Sequence, residues 1–110
     1  MTQPSAPRLP WVEPDGHFPP TQSAWPAATG ANGLLAASDQ VTSPMLLQAY
    51  RRGIFPWSGA GEPVLWWTPN PRMVLRTTDF RQHRSLRQAI RRAADEGLEV
   101  RMNQDFVGVM

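Results

Sequence analysis

Ala49-Tyr50-Arg51-Arg52-Gly53-Ile54-Phe55-Pro56-Trp57 is followed, nine residues after its last member, by Trp66-Trp67-Thr68-Pro69-Asn70-Pro71-Arg72. Three of the five tryptophans fall within this stretch. They lie in backbone broken by Pro and Gly, not in a periodic run. Aromatic rings in irregular backbone either cap a core or present a flat face to a ligand. A nucleobase is one planar group that such a face suits.

Upstream of this stretch, Thr42-Ser43-Pro44 predicts a helix start. A hydroxyl N-cap accepts a backbone N–H, and Pro44 at the first helical position lacks only a donor that would be orphaned anyway. Met45, Leu46, Ala49 and Tyr50 then share a face expected to be buried. Arg51 and Arg52 suit the negative end of the helix dipole, and Gly53 ends the helix. Downstream, Val64 to Trp67 reads as a short strand. Adjacent Trp66 and Trp67 must then face opposite sides, one towards the core and the other towards a groove or a neighbouring domain.

Further along, Met73 to Leu75 reads as a second strand, because three apolar residues follow a proline stop. His83 to Glu96 predicts a helix with Leu86, Ala89, Ile90, Ala93 and Ala94 on its buried side and Gly97 as its stop. Leu98 to Met102 alternates apolar and charged, as a half-buried strand does. Asp105 reads as a cap before the apolar residues Phe106 to Met110. No polar tail follows them, which leads to the expectation of a polypeptide cut short.

Composition narrows the function classes. The first thirty residues hold seven prolines, so residues 1–31 read as a Pro-rich flexible arm, on which Trp11, Phe18 and Trp25 are the candidates for docking. With no cysteine and two isolated histidines, neither a disulfide framework nor a metal-ligand spacing is present. No apolar run approaches the ~20 residues of a membrane span, and no signal layout opens the chain. The expectation is a cytoplasmic monomer. All eleven basic residues are arginine. Residues 72 to 92 carry seven of them against a single acid, Asp79, a local field that suits a polyanion. Arg84, Arg87 and Arg91 form one stripe at i, i+3, i+7, which serves either as a solvated face or as a phosphate track. Asp39, Glu62 and Asp79 are scattered in loops, and no nucleophile with its base, carboxylate pair or glycine-rich phosphate cradle is found. For Trp57, residue chemistry alone leaves core packing and ligand contact both open, with core the commoner fate of a large aromatic.

Three runs together, Asn32-Gly33-Leu34-Leu35-Ala36, Leu46 through Trp57, and Leu65 through Arg72, resemble the N-terminal domain of bacterial leucyl/phenylalanyl-tRNA–protein transferases. The resemblance covers residues 32 to 110. It implies an α+β fold: the small N-terminal sheet-and-helix domain of a two-domain transferase, whose acetyltransferase-like C-terminal domain is not in this chain. It implies transfer of Leu or Phe from aminoacyl-tRNA to the N-terminal Arg or Lys of a protein, marking it for degradation, with no cofactor and no metal. By position, Trp57 would stack on the 3′-terminal adenosine, Tyr50 would lie near the same pocket, and Arg84, Arg87 and Arg91 would contact tRNA. No catalytic residue carries over, so the chain alone is expected to be inactive. A standalone RNA-binding module or a non-functional remnant is the alternative. The chain departs from the family at Ser38 to Ser43, where the usual Gly-Gly-Asp-Leu-Ser-Pro is replaced and proline comes one place late.

Overall fold

The computed structural model describes residues 7–110, so the opening of the expected arm, residues 1–6, lies outside the described residues. Contacts divide the chain between Met73 and Val74 into two compact units. The fold is α+β. Among the described residues no helix is long and apolar enough to cross a membrane.

The first unit is built on a three-stranded antiparallel sheet. β1 (Leu34–Ser38) and β2 (Phe55–Pro56) flank β3 (Val64–Trp67). Between β1 and β2 runs α1 (Ser43–Arg51). Its N-cap is Thr42, one residue earlier than a Pro44 in the first helical position implies. Ser43 takes the first helical position and Pro44 the second, so the second position has no N–H to give. The Thr42 hydroxyl therefore accepts from the third, the Met45 N–H at 3.3 Å.

α1 ends in a Schellman closure. The Gly53 N–H reaches the Tyr50 carbonyl at 3.2 Å and the Ile54 N–H reaches the Ala49 carbonyl at 2.9 Å. This requires a left-handed residue, and Gly53 has φ of 73°. The expected buried face is corrected at one position. Met45 and Ala49 are buried and Leu46 packs against the core, but Tyr50 is 60% exposed. Tyr50 lies at the edge of the apolar stripe, one residue beyond the buried Ala49.

β1 was not expected from its sequence. Leu-Leu-Ala-Ala-Ser shows no alternation, and Ala is a poor strand former. All five residues are nevertheless buried. Close packing explains why small residues sit here. Trp66, opposite Ala36 in the register, is fully buried, and its ring needs a small neighbour. The indole N–H of Trp66 donates to the Ser38 hydroxyl at 2.8 Å, which in turn donates to the Gln40 carbonyl at 2.9 Å. That satisfies the Trp66 indole and the Ser38 hydroxyl, the polar side-chain groups buried in the core among the described residues.

Residues 7–31 are more closely held than a flexible arm. Val12 and Phe18 are core residues, and Phe18 meets Trp66 edge to face at 4.7 Å. Trp11 bridges Ala37 in parallel, with the Val12 N–H on the Ala37 carbonyl and the Ala37 N–H on the Pro10 carbonyl. From α1, Gln48 accepts from the Phe18 N–H at 2.9 Å, and Arg52 donates to the carbonyls of Phe18 and Pro19 at 3.0 and 2.7 Å. Proline-rich backbone forms little regular structure of its own, but its carbonyls remain free acceptors. Arg52 and Gln48 use them to bind the segment to the body. At the other end of β1, Gly33 lets two backbones touch. A Cβ there would sit 2.5 Å from Pro69.

The second unit contains α2 (Arg84–Asp95) and α3 (Phe106–Val109). α2 matches the expected helix to within one residue at each end. Its expected buried side is corrected: no residue of α2 is buried. Two expected strands are also corrected. Met73 to Leu75 and Leu98 to Met102 form no strand. Both have strand-like patterning and neither is paired, and an unpaired strand has no ladder to hold it. Asp105 caps α3 as expected, its carboxylate accepting from the Gly108 N–H at 2.9 Å.

Candidate functional site

β3 sorts its side chains by parity. Trp66 points into the core, while Leu65 and Trp67 point the other way, into a cavity of about 430 Å³. Phe55 pairs directly with Trp67 across the β2–β3 ladder. Its ring therefore lies on the same face, and it lines the same cavity. Trp57 and the loop residues Ser58, Gly59 and Glu62 form the rest of the wall, with Pro69 at the far end. The volume falls within the range of small-molecule sites.

Trp57 is held by its backbone and free at its ring. Its N–H donates to the Leu65 carbonyl at 2.9 Å, and its carbonyl accepts from the Trp67 indole N–H at 2.7 Å. The Trp57 side chain is 75% exposed. This corrects the packing reading of Trp57: the ring is not core. A fixed backbone carrying an exposed ring is a low-entropy platform for a planar ligand. Behind Phe55, the Arg72 guanidinium lies 5.3 Å from the ring centroid and also donates to the Gly53 carbonyl. Arg72 thus links the end of α1 to the wall of the cavity.

The other residues singled out in the sequence lie elsewhere. Tyr50 is on α1 and does not line the cavity. Arg84, Arg87 and Arg91 belong to the second unit, on α2, where all three are exposed. None makes a salt bridge among the described residues, whose only ion pair joins Arg101 to Glu99. Arg84 is the first residue of α2, and no acid occupies that first turn. A cation at the positive end of a helix opposes the dipole, so this arginine does not serve the helix.

Sequence reasoning reached Trp57 and the groove-facing role of one member of the Trp66–Trp67 pair. It missed Phe55 and Glu62 as cavity residues. Phe55 was readable in principle, since antiparallel pairing of Phe-Pro with Trp-Trp puts Phe55 and Trp67 on one face. Glu62 was not, because a loop carboxylate shows its direction only after the turn is built.

Residues 39–70 match the family model described as the leucyl/phenylalanyl-tRNA protein transferase N-terminal domain. Every residue lining the cavity falls inside that segment. The chain is similar to the N-terminal portion of the leucyl/phenylalanyl-tRNA–protein transferases. Relatives so named from Paraburkholderia phymatum and Paraburkholderia xenovorans are 52% and 50% identical to it over 103 residues, which is 93% of this chain and 42% of each relative. One from Burkholderia ambifaria is 52% identical and is covered over 41% of its length. The chain therefore spans about two-fifths of the length of the curated relatives it matches.

Proposed function

We propose that this chain is the substrate-binding portion of an aminoacyltransferase that moves Leu or Phe from aminoacyl-tRNA to the N-terminal Arg or Lys of a protein. In this reading the Phe55–Trp57–Trp67 cavity takes the 3′-terminal adenosine of the charged tRNA, with the Trp57 indole stacked on the base. Arg84, Arg87 and Arg91 take backbone phosphates. The reaction is attack of the acceptor α-amine on the aminoacyl ester, with the tRNA 3′-oxygen leaving.

The observation that carries the reading is Trp57: a large aromatic on a clamped backbone, left exposed beside two further aromatic rings within the segment that matches the family. Arg84 supports it, because it stands at the positive end of α2 with no acid in that turn. The bond-making step is assigned to other parts of the enzyme. The cavity offers one ionisable group, Glu62, and no nucleophile paired with a base. More than half of each relative lies outside the match.

The test is binding of a non-hydrolysable aminoacyl-adenosine analogue by calorimetry. Trp57→Ala is expected to weaken it by about 5- to 150-fold, since a stacked base is worth about 1–3 kcal/mol. Trp57→Phe is expected to retain part of the affinity. Unchanged affinity in Trp57→Ala would remove the stacking role.

A further inference from the structure

Among the described residues, Glu62 is the one ionisable side chain on the wall of the Trp57 cavity. Its position is set by a reciprocal pair of bonds. The Gly59 N–H donates to Glu62 Oε2 at 2.9 Å, and the Glu62 N–H donates to the Gly59 carbonyl at 3.3 Å. Gly59 suits this turn because a Cβ there would lie 3.3 Å from Oε2. The loop thus holds one carboxylate oxygen and leaves the other without a partner. No arginine neutralises it, for the one salt bridge among the described residues is Arg101–Glu99. Around it the wall is largely apolar: Phe55, Trp57, Leu65, Trp67 and Pro69.

An ionised carboxylate accepts hydrogen bonds and donates none. Beside an aromatic slot it favours planar rings that carry an amine and repels rings that present a carbonyl. Among nucleobases, adenine and cytosine offer a single exocyclic amine on that edge. Guanine is bound by carboxylates through two parallel donors, which needs both oxygens, and here one is already committed to Gly59. A purine covers more of an indole face than a pyrimidine does. We propose that Glu62 is a specificity-determining residue that accepts from the exocyclic amine of a 6-aminopurine stacked on Trp57. The assignment rests on the base-binding reading of the cavity and adds to it a rule for which base is chosen.

The rule makes an inversion testable. In Glu62→Gln the Gly59 N–H still needs an acceptor, so the amide oxygen turns towards it. The amide NH2 is then left facing the slot, and the acceptor becomes a donor. Adenosine, purine riboside (hydrogen at C6) and 1-methylinosine (carbonyl at C6, no N1–H donor) are titrated into the whole chain and followed by NMR, with the Gly59 amide signal reporting that the turn is intact. The wild type should bind adenosine about five- to tenfold more tightly than purine riboside, the net worth of one ordinary hydrogen bond, and 1-methylinosine least. Glu62→Gln should reverse the order of adenosine and 1-methylinosine. Glu62→Ala should bind all three alike.

Failure of the wild type to bind any of the three would remove the base-binding reading and this assignment with it. Binding of all three with equal affinity, or a preference for adenosine that survives in both variants, would overturn the Glu62 assignment alone and leave the stacking pocket standing.

Discussion

α1 and α2 end by the same device and differ in what the device supports. In each, a left-handed glycine follows the last turn, and its N–H and that of the next residue close back on the helix. For α1 the residue after the glycine is Ile54, which is fully buried against the core. For α2 it is Leu98, whose N–H closes on the Ala93 carbonyl at 2.9 Å in the same way but whose side chain is 67% exposed. Local backbone chemistry therefore specifies a helix end equally well in both places. Only in the first unit does that end also fix the chain leading to a sheet. The lesson is that capping defines an element and burial decides what the element holds in place.

The largest expected effect in this comparison is at Trp66. Trp66→Ala removes the ring that Phe18 packs against and leaves the Ser38 hydroxyl without its indole donor. A loss of about 3–5 kcal/mol is expected, read as a large fall in melting temperature with the far-UV signal of α2 retained. Retention of the wild-type melting temperature would show that the core does not centre on this ring.

Next is the direct test of the two helix ends. Ile54→Ala should cost about 2–4 kcal/mol, as buried large-to-small changes do, whereas Leu98→Ala should stay within about 0.5 kcal/mol. Denaturant unfolding of the two variants measures both. Equal losses would mean that Leu98 is buried in solution and that the contrast between the helix ends is not real.

Trp57→Ala sharpens the comparison inside the first unit, because Trp57 follows β2 directly, Trp66 lies in β3, and the two differ in exposure. Replacing the exposed ring should change stability by less than about 1 kcal/mol while removing most of the affinity for an aminoacyl-adenosine analogue. A fall in stability comparable to that of Trp66→Ala would return Trp57 to a packing role.

The smallest effect is expected on α2. Arg84→Ala should raise the stability of that helix slightly, by about 0.3 kcal/mol, since it removes a cation from the positive end of the dipole. It should also lower the salt slope of RNA binding by about one unit. An unchanged slope would remove Arg84 from the set of phosphate contacts.

Much of this was readable from local sequence. Thr42 and Gly53 bracket α1 because capping and closure depend on residues within a few positions of one another. The same reason makes α2 and the Asp105 cap readable. The opposite faces of Trp66 and Trp67 follow from strand geometry alone. Sequence also marked Trp57 as a residue to weigh.

What the tertiary structure decided is which patterns found partners. Leu34 to Ser38 has weak strand character and becomes a strand because β3 pairs with it on one side and the Trp11 segment on the other. Met73 to Leu75 and Leu98 to Met102 have stronger strand character and remain coil, since a β ladder is an agreement between two segments that neither can make by itself. Pro-rich composition concealed Val12, which is held by the Ala37 carbonyl, and Phe18, whose backbone is held by Arg52 and Gln48 some thirty residues away. The direction of the free Glu62 oxygen likewise exists only once Gly59 has closed its turn. Capping is a local energy and can be read along the chain; pairing, burial and the aim of a loop side chain are energies between distant residues, so only the folded molecule sets them.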